Sequence, residues 1–294
     1  MKKIIKFLLL SPVAVTRTYL HLLGKVRPQW SLALNDEIYG DSIARTSSVR
    51  HVSAGEGSEV NLRIHSPNAV CRFRAQTFST KEPETLEWIE KWGGEGAFFD
   101  VGANIGLYSL FFAKLFPGQV YAFEPSALNL GQLAKNIALN ELSDRIVVMP
   151  MPLTSKNMIS SLCMSDISEG GALSTFGAPF GQDGNPLVEE MSYKMPGFTM
   201  DFIVESGTVP EFPSLLKIDV DGIEHLILEG AQEVLRTPVL RSVLIEVDDQ
   251  FRELASGVNH QLLDAGFRLE AKRQGDMFRT GKFSTSFNQI WVRN

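Results

Sequence analysis

The spacing of hydrophobic positions changes near residue 97. From there on, short apolar runs alternate with segments in which apolar residues recur every three or four positions. The runs predict buried strands and the segments between them predict helices, an order typical of βαβ units and a parallel sheet. The predicted strands are 97–101, 119–123, 146–151, 215–220 and 243–247. The predicted helices are 108–116, 128–140, 224–235 and 251–265.

Two further strands are predicted near the end of the chain, at 268–271 and 288–292. The segment between them, 272–287, is polar and has no helical periodicity, so the two strands are expected to form an antiparallel pair. The whole pattern predicts an α/β domain from residue 81 to 294, with its core motifs between 97 and 250.

Residues 1–80 are predicted to form an accessory segment. Alternating residues predict strands at 59–64 and around 71–74. Thr80 is the predicted N-cap of a helix that has Pro83 in its first turn.

An insertion at about 156–197 interrupts the alternation of strands and helices. Ser165 to Pro186 is rich in glycine and serine and lies between predicted strands at 159–164 and 188–195. A loop of this length is functional or loosely ordered. Two interpretations stay open: a flap over the substrate site, or a surface insertion without a role.

The clearest local motif is Asp-x-Gly-x-Asn-x-Gly at the end of the first predicted strand of the domain, comprising Asp100, Gly102, Asn104 and Gly106. The glycines permit a tight turn and a close approach of a ligand to the backbone. The helix that follows presents free N–H groups suited to a carboxylate. Asp100 can accept hydrogen bonds from an ammonium or a hydroxyl group, so the motif is suited to a free amino acid.

Glu124 ends the next predicted strand, about 20 residues after the loop, where an acid can bind ribose hydroxyls. Amino acid and ribose recognition together predict S-adenosylmethionine, which carries both groups. The competing hypothesis is an NAD(P)-dependent oxidoreductase. Asn104 argues against it, because it stands where a dinucleotide fingerprint has its second glycine and its side chain would crowd the phosphates.

The stretch Lys217-Ile-Asp219-Val-Asp221-Gly-Ile-Glu224 follows further along the chain. Together with the glycine motif and Glu124-Pro125, it resembles the FkbM family of methyltransferases; Phe198–Asp201 and Ile245-Glu246 fit the same pattern. The resemblance runs from about residue 98 to 247.

This resemblance implies a Rossmann-like class I methyltransferase fold, with a mainly parallel seven-stranded sheet, helices on both faces and an antiparallel strand at one edge. It implies that S-adenosyl-L-methionine is bound by Asp100, Gly102, Asn104, Gly106 and Glu124. It also implies O-methylation of a sugar, glycolipid or polyketide-like acceptor. The chain departs from the family at 152–155, where Pro-Leu-Thr-Ser offers no acid for the adenine amine.

The candidate catalytic residues are Asp219, Asp221 and Glu246, at the carboxyl ends of two predicted strands, where ligands of open α/β sheets bind. Asp219 is the simplest candidate base. Alternatively, Asp219, Glu246 and Asp248 hold a divalent cation such as Mg²⁺. Asp221 is also a candidate cap of the next helix, with Glu224 as an acid of its first turn.

Two nearby residues are secondary candidates. His225 is a further candidate base, although a lone helical histidine more often packs. Lys217 could pair with the site carboxylates or extend to the sheet edge.

Composition narrows the function further. A net charge of -6 and the absence of a basic stripe argue against a nucleic-acid partner. Two distant cysteines exclude a disulfide framework and a zinc ribbon. Residues 1–10 are too short to span a bilayer and are a poor signal peptide; they predict a helix that lies on a membrane surface or packs on protein. The expected compartment is the cytoplasm. A nucleoside-binding module without catalysis is a further hypothesis.

Overall fold

The structure, a computed structural model, describes residues 25, 48–54 and 60–293. The chain divides into two units, Met1–Ser48 and Val49–Asn294, and the architecture below belongs to the second. The predicted helix at residues 1–10 lies outside the described residues, so its membrane contact stays a prediction. Within the described part of the chain, no helix is long and apolar enough to cross a membrane.

Strands and helices alternate through most of the second unit. The strands are β1 Ser48–Ala54, β2 Val60–Ser66, β3 Ala97–Val101, β4 Val120–Phe123, β5 Ile146–Met149, β6 Met158–Met164, β7 Ser174–Phe176, β8 Met191–Gly197, β9 Pro213–Ile218, β10 Ser242–Asp248, β11 Phe267–Arg273 and β12 Ser286–Arg293. The helices are α1 Ala69–Lys81, α2 Pro83–Trp92, α3 Leu107–Leu115, α4 Ala127–Leu139, α5 Met200–Glu205, α6 Glu224–Glu229, α7 Gln232–Arg236 and α8 Arg252–Asp264.

A seven-stranded sheet with the order β11-β12-β10-β9-β3-β4-β5 forms the centre of the fold. Every pairing from β10 to β5 is parallel, whereas β12 is antiparallel to both β10 and β11. The predicted antiparallel pair at the chain end is therefore confirmed. The antiparallel strand does not lie at the edge as expected, because β12 inserts between β10 and β11.

Helices cover both faces of this sheet, as predicted. Adjacent strand residues point to opposite faces, so Phe98 and Leu215 join one core while Phe99 and Leu216 join the other. Both cores are apolar, which explains why the strands are continuous hydrophobic runs rather than alternating ones. The result is a Rossmann-like α/β fold, as expected, with a mainly parallel seven-stranded sheet between two layers of helices.

Three local predictions were wrong. Residues 71–74 lie in helix α1, in which Cys71, Ala75 and Phe78 are buried at helical spacing. A window of four residues is too short to distinguish the period of a strand from that of a helix. Thr80 is in the last turn of α1, and Glu82 precedes Pro83, the first residue of α2. Helix 224–235 is two helices, separated at Gly230 and Ala231, and the Thr154 carbonyl leaves no room for a side chain at Gly230.

The insertion forms a separate three-stranded antiparallel sheet with the order β7-β6-β8. Its strands β6 and β8 agree with the predicted strands at 159–164 and 188–195. Leu162, Met164 and Phe176 anchor it in the core beneath the large sheet.

Residues 60–81, which we expected in the accessory segment, pack against the domain. Leu62, Ile64 and Phe78 share a core with Phe111 of α3 and Leu133 of α4. The boundary near residue 80 remains a prediction, but α1 contributes to the site described next.

Candidate active site

A cavity of about 430 Å³ opens at the carboxyl ends of β3, β4, β9 and β10. Its wall contains six of the eight predicted site residues: Gly102, Asn104, Glu124, Asp219, Asp221 and Glu246. Parallel strands end at one edge of a sheet, so residues that are up to 144 positions apart in the sequence converge there. Asp100 and Gly106 do not line this cavity.

The glycine loop, residues 100–106, has its shape dictated by packing. Gly102 and Gly106 have φ values of 83° and 87°, which favour glycine. A Cβ on Gly102 would collide with the carbonyl of Asp219, and one on Gly106 with the Leu133 side chain. Gly102 also faces the cavity, so the same missing side chain leaves room for a ligand.

Asp100 lies beneath this loop rather than in the cavity wall. Its fully buried carboxylate accepts a hydrogen bond of 2.6 Å from Ser109 Oγ in the first turn of α3. Its other oxygen has no partner among the described residues. Burial raises the pKa of Asp100, although the nearby Lys217 ammonium opposes this shift. A direct contact of Asp100 with a ligand stays a prediction.

Glu124 connects the ends of two neighbouring strands. Its Oε2 accepts a hydrogen bond of 2.8 Å from the Asn104 amide, and its Oε1 accepts one of 2.8 Å from the Ser126 amide. Burial raises the pKa of Glu124 to about 7, against the lowering effect of these bonds. The carboxylate is therefore held rigidly in the cavity wall with part of its hydrogen-bonding capacity unused.

The flap, residues 165–173, closes over the glycine loop. Asn104 Nδ2 donates to the Gly171 carbonyl at 2.7 Å, and the Gly170 amide donates to Asn129 Oδ1 at 2.8 Å. The first half of the glycine-rich stretch thus forms part of the cavity wall, which favours the flap interpretation over a surface insertion without a role.

Asp221 holds this flap and does not cap a helix. Its Oδ2 accepts hydrogen bonds from the Leu173 amide at 2.7 Å and the Ser174 amide at 3.3 Å. Helix α6 has Ile223 at its N-cap with no side-chain bond, so the expected capping role was wrong. The first-turn Glu224 binds the Val220 and Gly222 amides instead.

Asp219 forms an ion pair with Lys217, Oδ2 to Nζ at 2.8 Å. Lys217 is only 1% exposed, so it pairs with the site carboxylates and does not extend to the sheet edge. Burial alone would raise the pKa of Asp219, but the ammonium groups of Lys217 and Lys81 lower it to about 2. Asp219 is therefore ionised at every physiological pH.

Glu246 lies beside Asp219, and its pKa is shifted in the opposite direction. Its Oε2 accepts a hydrogen bond of 2.7 Å from Gln182 Nε2, and its carboxyl group is hydrogen-bonded to Asp219. Burial and the charge of Asp219 raise the pKa of Glu246 well above its usual value. Within this pair, Glu246 therefore holds a proton more tightly than Asp219 does.

Sequence patterns missed Lys81 and Glu82 at the junction of α1 and α2. Glu82 accepts hydrogen bonds from Lys81 Nζ at 2.5 Å and Tyr108 Oη at 2.7 Å, and both charged residues line the cavity. A residue before proline avoids the helical conformation, so Pro83 breaks the helix here. The proline directly after Lys81 and Glu82 was the sequence feature that could have indicated a helix end at these two residues.

Two aromatic residues of the connection between β11 and β12 were also missed. Phe278 and Phe283 line the cavity with their ring centroids 6.1 Å apart, and Lys81 Nζ lies 5.3 Å from the Phe278 ring. The connection contains one short 3₁₀ turn, Asp276–Phe278, and is otherwise irregular. Its lack of periodicity concealed its contribution.

The remaining candidates lie away from the cavity. His225 is buried against Phe251, with ring centroids 5.9 Å apart, and burial lowers its pKa. Asp248 accepts hydrogen bonds from Thr285 and Ser286 and does not line the cavity. Among residues 60–293, no group of three or more histidine, cysteine or acidic residues is arranged to hold a metal ion. The cation hypothesis therefore gains no support.

Known proteins resemble this chain in sequence. Residues 100–269, more than half of the chain, match the Methyltransferase FkbM domain. Hexuronic acid methyltransferase AglP of Haloferax volcanii is 29% identical over 204 residues, covering 69% of this chain and 77% of that protein. Methyltransferase sdnD of Sordaria araneosa is 26% identical over 202 residues, covering 59% of this chain and 74% of that protein.

Solved structures also resemble this chain, at lower sequence identity than the two relatives above. A methyltransferase FkbM from Methylobacillus flagellatus has a TM-score of 0.46 at 14% identity and covers 76% of this chain, which spans about half (52%) of that protein. Fibrillarin of Aeropyrum pernix, solved with S-adenosyl-L-methionine, has a TM-score of 0.46 at 10% identity and covers 83% of this chain and 82% of that one.

Proposed function

This chain belongs to the FkbM methyltransferase family, and on that premise we propose that it transfers the methyl group of S-adenosylmethionine to an oxygen of a sugar, glycolipid or polyketide-like acceptor. The observation that carries the proposal is one continuous cavity, which extends from Glu124 at one strand end to Glu246 at another. A donor site and an acceptor site in a single chamber are what transfer between two bound molecules requires.

The donor half of the cavity suits the chemistry of S-adenosylmethionine. Glu124 can accept bonds from ribose hydroxyls, since the amides of Asn104 and Ser126 and the Asn129 side chain occupy three of the about four acceptor positions of a carboxylate. Gly102 and Asn104 would border the amino acid portion. Met151, Leu153 and Leu162 supply an apolar wall for the adenine base. The volume of about 430 Å³ is ordinary for a small-molecule site. The donor's sulfonium would supply the methyl group.

The acceptor half contains Gln182, Glu246, Asp219 and Glu82 beside the rings of Phe278 and Phe283. Hydrogen-bonding groups next to aromatic faces suit a molecule that has hydroxyls at its edges and C–H groups on its faces. The name of the Haloferax volcanii relative, a hexuronic acid methyltransferase, supports a sugar acceptor. The matched part of the chain, residues 100–269, contains Gln182, Asp219 and Glu246 of this half but not Glu82, Phe278 or Phe283.

Proton transfer from the acceptor hydroxyl is assigned to the Asp219–Glu246 pair. A carboxylate with a pKa of about 2 is a weak base, so Asp219 orients the hydroxyl by accepting its hydrogen bond. Glu246, with its raised pKa, is the stronger base once ionised. Asp221 also lines the cavity; because its Oδ2 accepts the Leu173 amide, we assign it to the flap and not to this step.

The cytoplasm is the compartment proposed for the reaction, because the methyl donor is a cytosolic metabolite. An acidic chain of net charge -6 is not suited to a nucleic-acid acceptor.

The first test is calorimetric titration of the full chain with S-adenosylhomocysteine and, separately, with NAD⁺. Saturable binding of S-adenosylhomocysteine alone is expected. Transfer of radiolabelled methyl groups is then measured on uronic acid glycans and on matched neutral glycans. Binding of NAD⁺ in place of S-adenosylhomocysteine would refute the donor, whereas donor binding without transfer to any hydroxylated acceptor would refute the acceptor class.

A further inference from the structure

Arg74, on the inner side of α1, borders two cavities at once. It lines the main cavity and also a smaller one of about 50 Å³ beside the glycine loop. The wall of the smaller cavity includes Gly102, Asn104 and Asp219 as well. This volume accommodates a small charged group, so the smaller cavity is a side chamber of the donor site.

The guanidinium of Arg74 is only partly committed. Its Nε donates to the Gly170 carbonyl of the flap at 2.6 Å. No carboxylate among residues 60–293 lies within ion-pair distance of it, whereas Lys81 is paired with Glu82 and Lys217 with Asp219. Among the described basic residues that line these cavities, Arg74 therefore keeps donors available for an anion.

The order of strand ends indicates which part of the donor lies nearby. Glu124 at the end of β4 is assigned to the ribose, and Asp219 at the end of β9 to the transfer step. The glycine loop lies between them, because β3 separates β4 from β9 in the sheet. The amino acid portion is thereby directed to the side chamber, next to Arg74.

We infer that Arg74 binds the carboxylate of the donor's amino acid portion, an inference that rests on the proposed function. A guanidinium presents two parallel N–H donors that match a carboxylate, and such charge-assisted bonds are strong. Arg74 would then distinguish the complete donor from nucleosides that lack the amino acid. Because Arg74 also holds Gly170, the bound carboxylate would be linked to the flap.

The test combines a protein variant with a ligand variant. Wild type and Arg74→Ala are titrated with S-adenosylhomocysteine and with its decarboxylated analogue, 5′-deoxy-5′-(3-aminopropylthio)adenosine. For S-adenosylhomocysteine, the variant is expected to raise Kd about 10- to 100-fold. For the decarboxylated analogue, the two proteins should agree within about twofold, because the group that Arg74 recognises is missing. Arg74→Lys should fall between them.

Arg72→Ala, on the same helix but outside both cavities, is the matched control and should leave both affinities unchanged. Equal losses for the two ligands in Arg74→Ala would overturn the inference and assign Arg74 to the flap alone. Should the variant fail to fold, an equal affinity of wild type for the two ligands would also overturn it. If wild type binds no S-adenosylhomocysteine, the proposed donor itself fails.

Discussion

The two halves of the cavity hold their carboxylates by different means. In the donor half, Glu124 is bound by backbone amides that lie 20 positions before it and 2 positions after it. In the acceptor half, Asp219 and Glu246 are positioned by the side chains of Lys217 and Gln182 and by each other. Backbone amides are present whatever the sequence, so the donor half is part of the fold itself. Side-chain partners can be exchanged, so the acceptor half can diversify on the same fold.

The largest expected effect is a loss of kcat on substitution of the acceptor-half carboxylates, with donor binding unchanged. Asp219→Asn and Glu246→Gln should each lower kcat by about 10²- to 10⁴-fold, because they remove the group that orients the hydroxyl or the base. The Kd for S-adenosylhomocysteine should stay within about twofold. Asp249→Asn, 42% exposed and outside the cavity, is the matched control and should change neither quantity.

The pH profile sharpens the assignment of the base. The pKa of Glu246 is raised, so its basic form grows over a higher pH range than that of an ordinary glutamate. The kcat of wild type should therefore increase with pH, and Glu246→Gln should lose this increase. A wild-type profile that is retained in Glu246→Gln would assign the proton to another group.

Substitution of Lys217 measures how much its buried charge contributes to the stability of the folded protein. Lys217→Met leaves Asp219 without its ion-pair partner in a buried cluster, and such losses cost about 3–5 kcal/mol of unfolding free energy. Urea unfolding followed by fluorescence measures it. The double variant Lys217→Met, Asp219→Asn should recover part of the loss. A loss below about 1 kcal/mol would mean that solvent already screens the pair.

A smaller effect is expected in the donor half, on the pH dependence of ligand affinity that Glu124 confers. Its pKa is raised to about 7, so its carboxylate forms as pH rises through that value. Since the ionised form is the better acceptor for ribose hydroxyls, affinity for S-adenosylhomocysteine should increase about tenfold from pH 6 to pH 8. Glu124→Gln should bind more weakly at pH 8 and show no such dependence. Parallel pH profiles in the two proteins would exclude Glu124 as the titrating group.

The smallest effect concerns the aromatic wall of the acceptor half. Phe278→Ala should raise the KM for the acceptor by about 2- to 10-fold, the loss expected for one aromatic contact, with S-adenosylhomocysteine affinity unchanged. Met277→Ala changes the adjacent, exposed residue and serves as control. A loss of donor affinity in Phe278→Ala would show that the ring serves the donor half instead.

The sequence by itself determined the sheet, most helices and the placement of the glycine loop and Glu124 at neighbouring strand ends. Continuous apolar runs indicate strands buried on both faces, and the Asp100–Gly106 motif marks a turn whose positive φ values favour glycine. Both are local properties, which a pattern of neighbouring residues can express. A short pattern gave the wrong element at residues 71–74. The helix there becomes evident only over a longer segment, in which residues 71, 75 and 78 are buried on one face.

Only the tertiary structure decided which side chains join Asp219 and Glu246 in the acceptor half and how the pKa values of these two residues are shifted. Glu82, Gln182 and Phe278 come from three separate segments, and no spacing along the chain relates them. The pKa of Asp219 is lowered and that of Glu246 raised, although both are acids at the ends of adjacent strands. The difference arises because Lys217 and Lys81 lower the pKa of Asp219, whereas burial and the charge of Asp219 raise that of Glu246, and these neighbours exist only once the chain has folded.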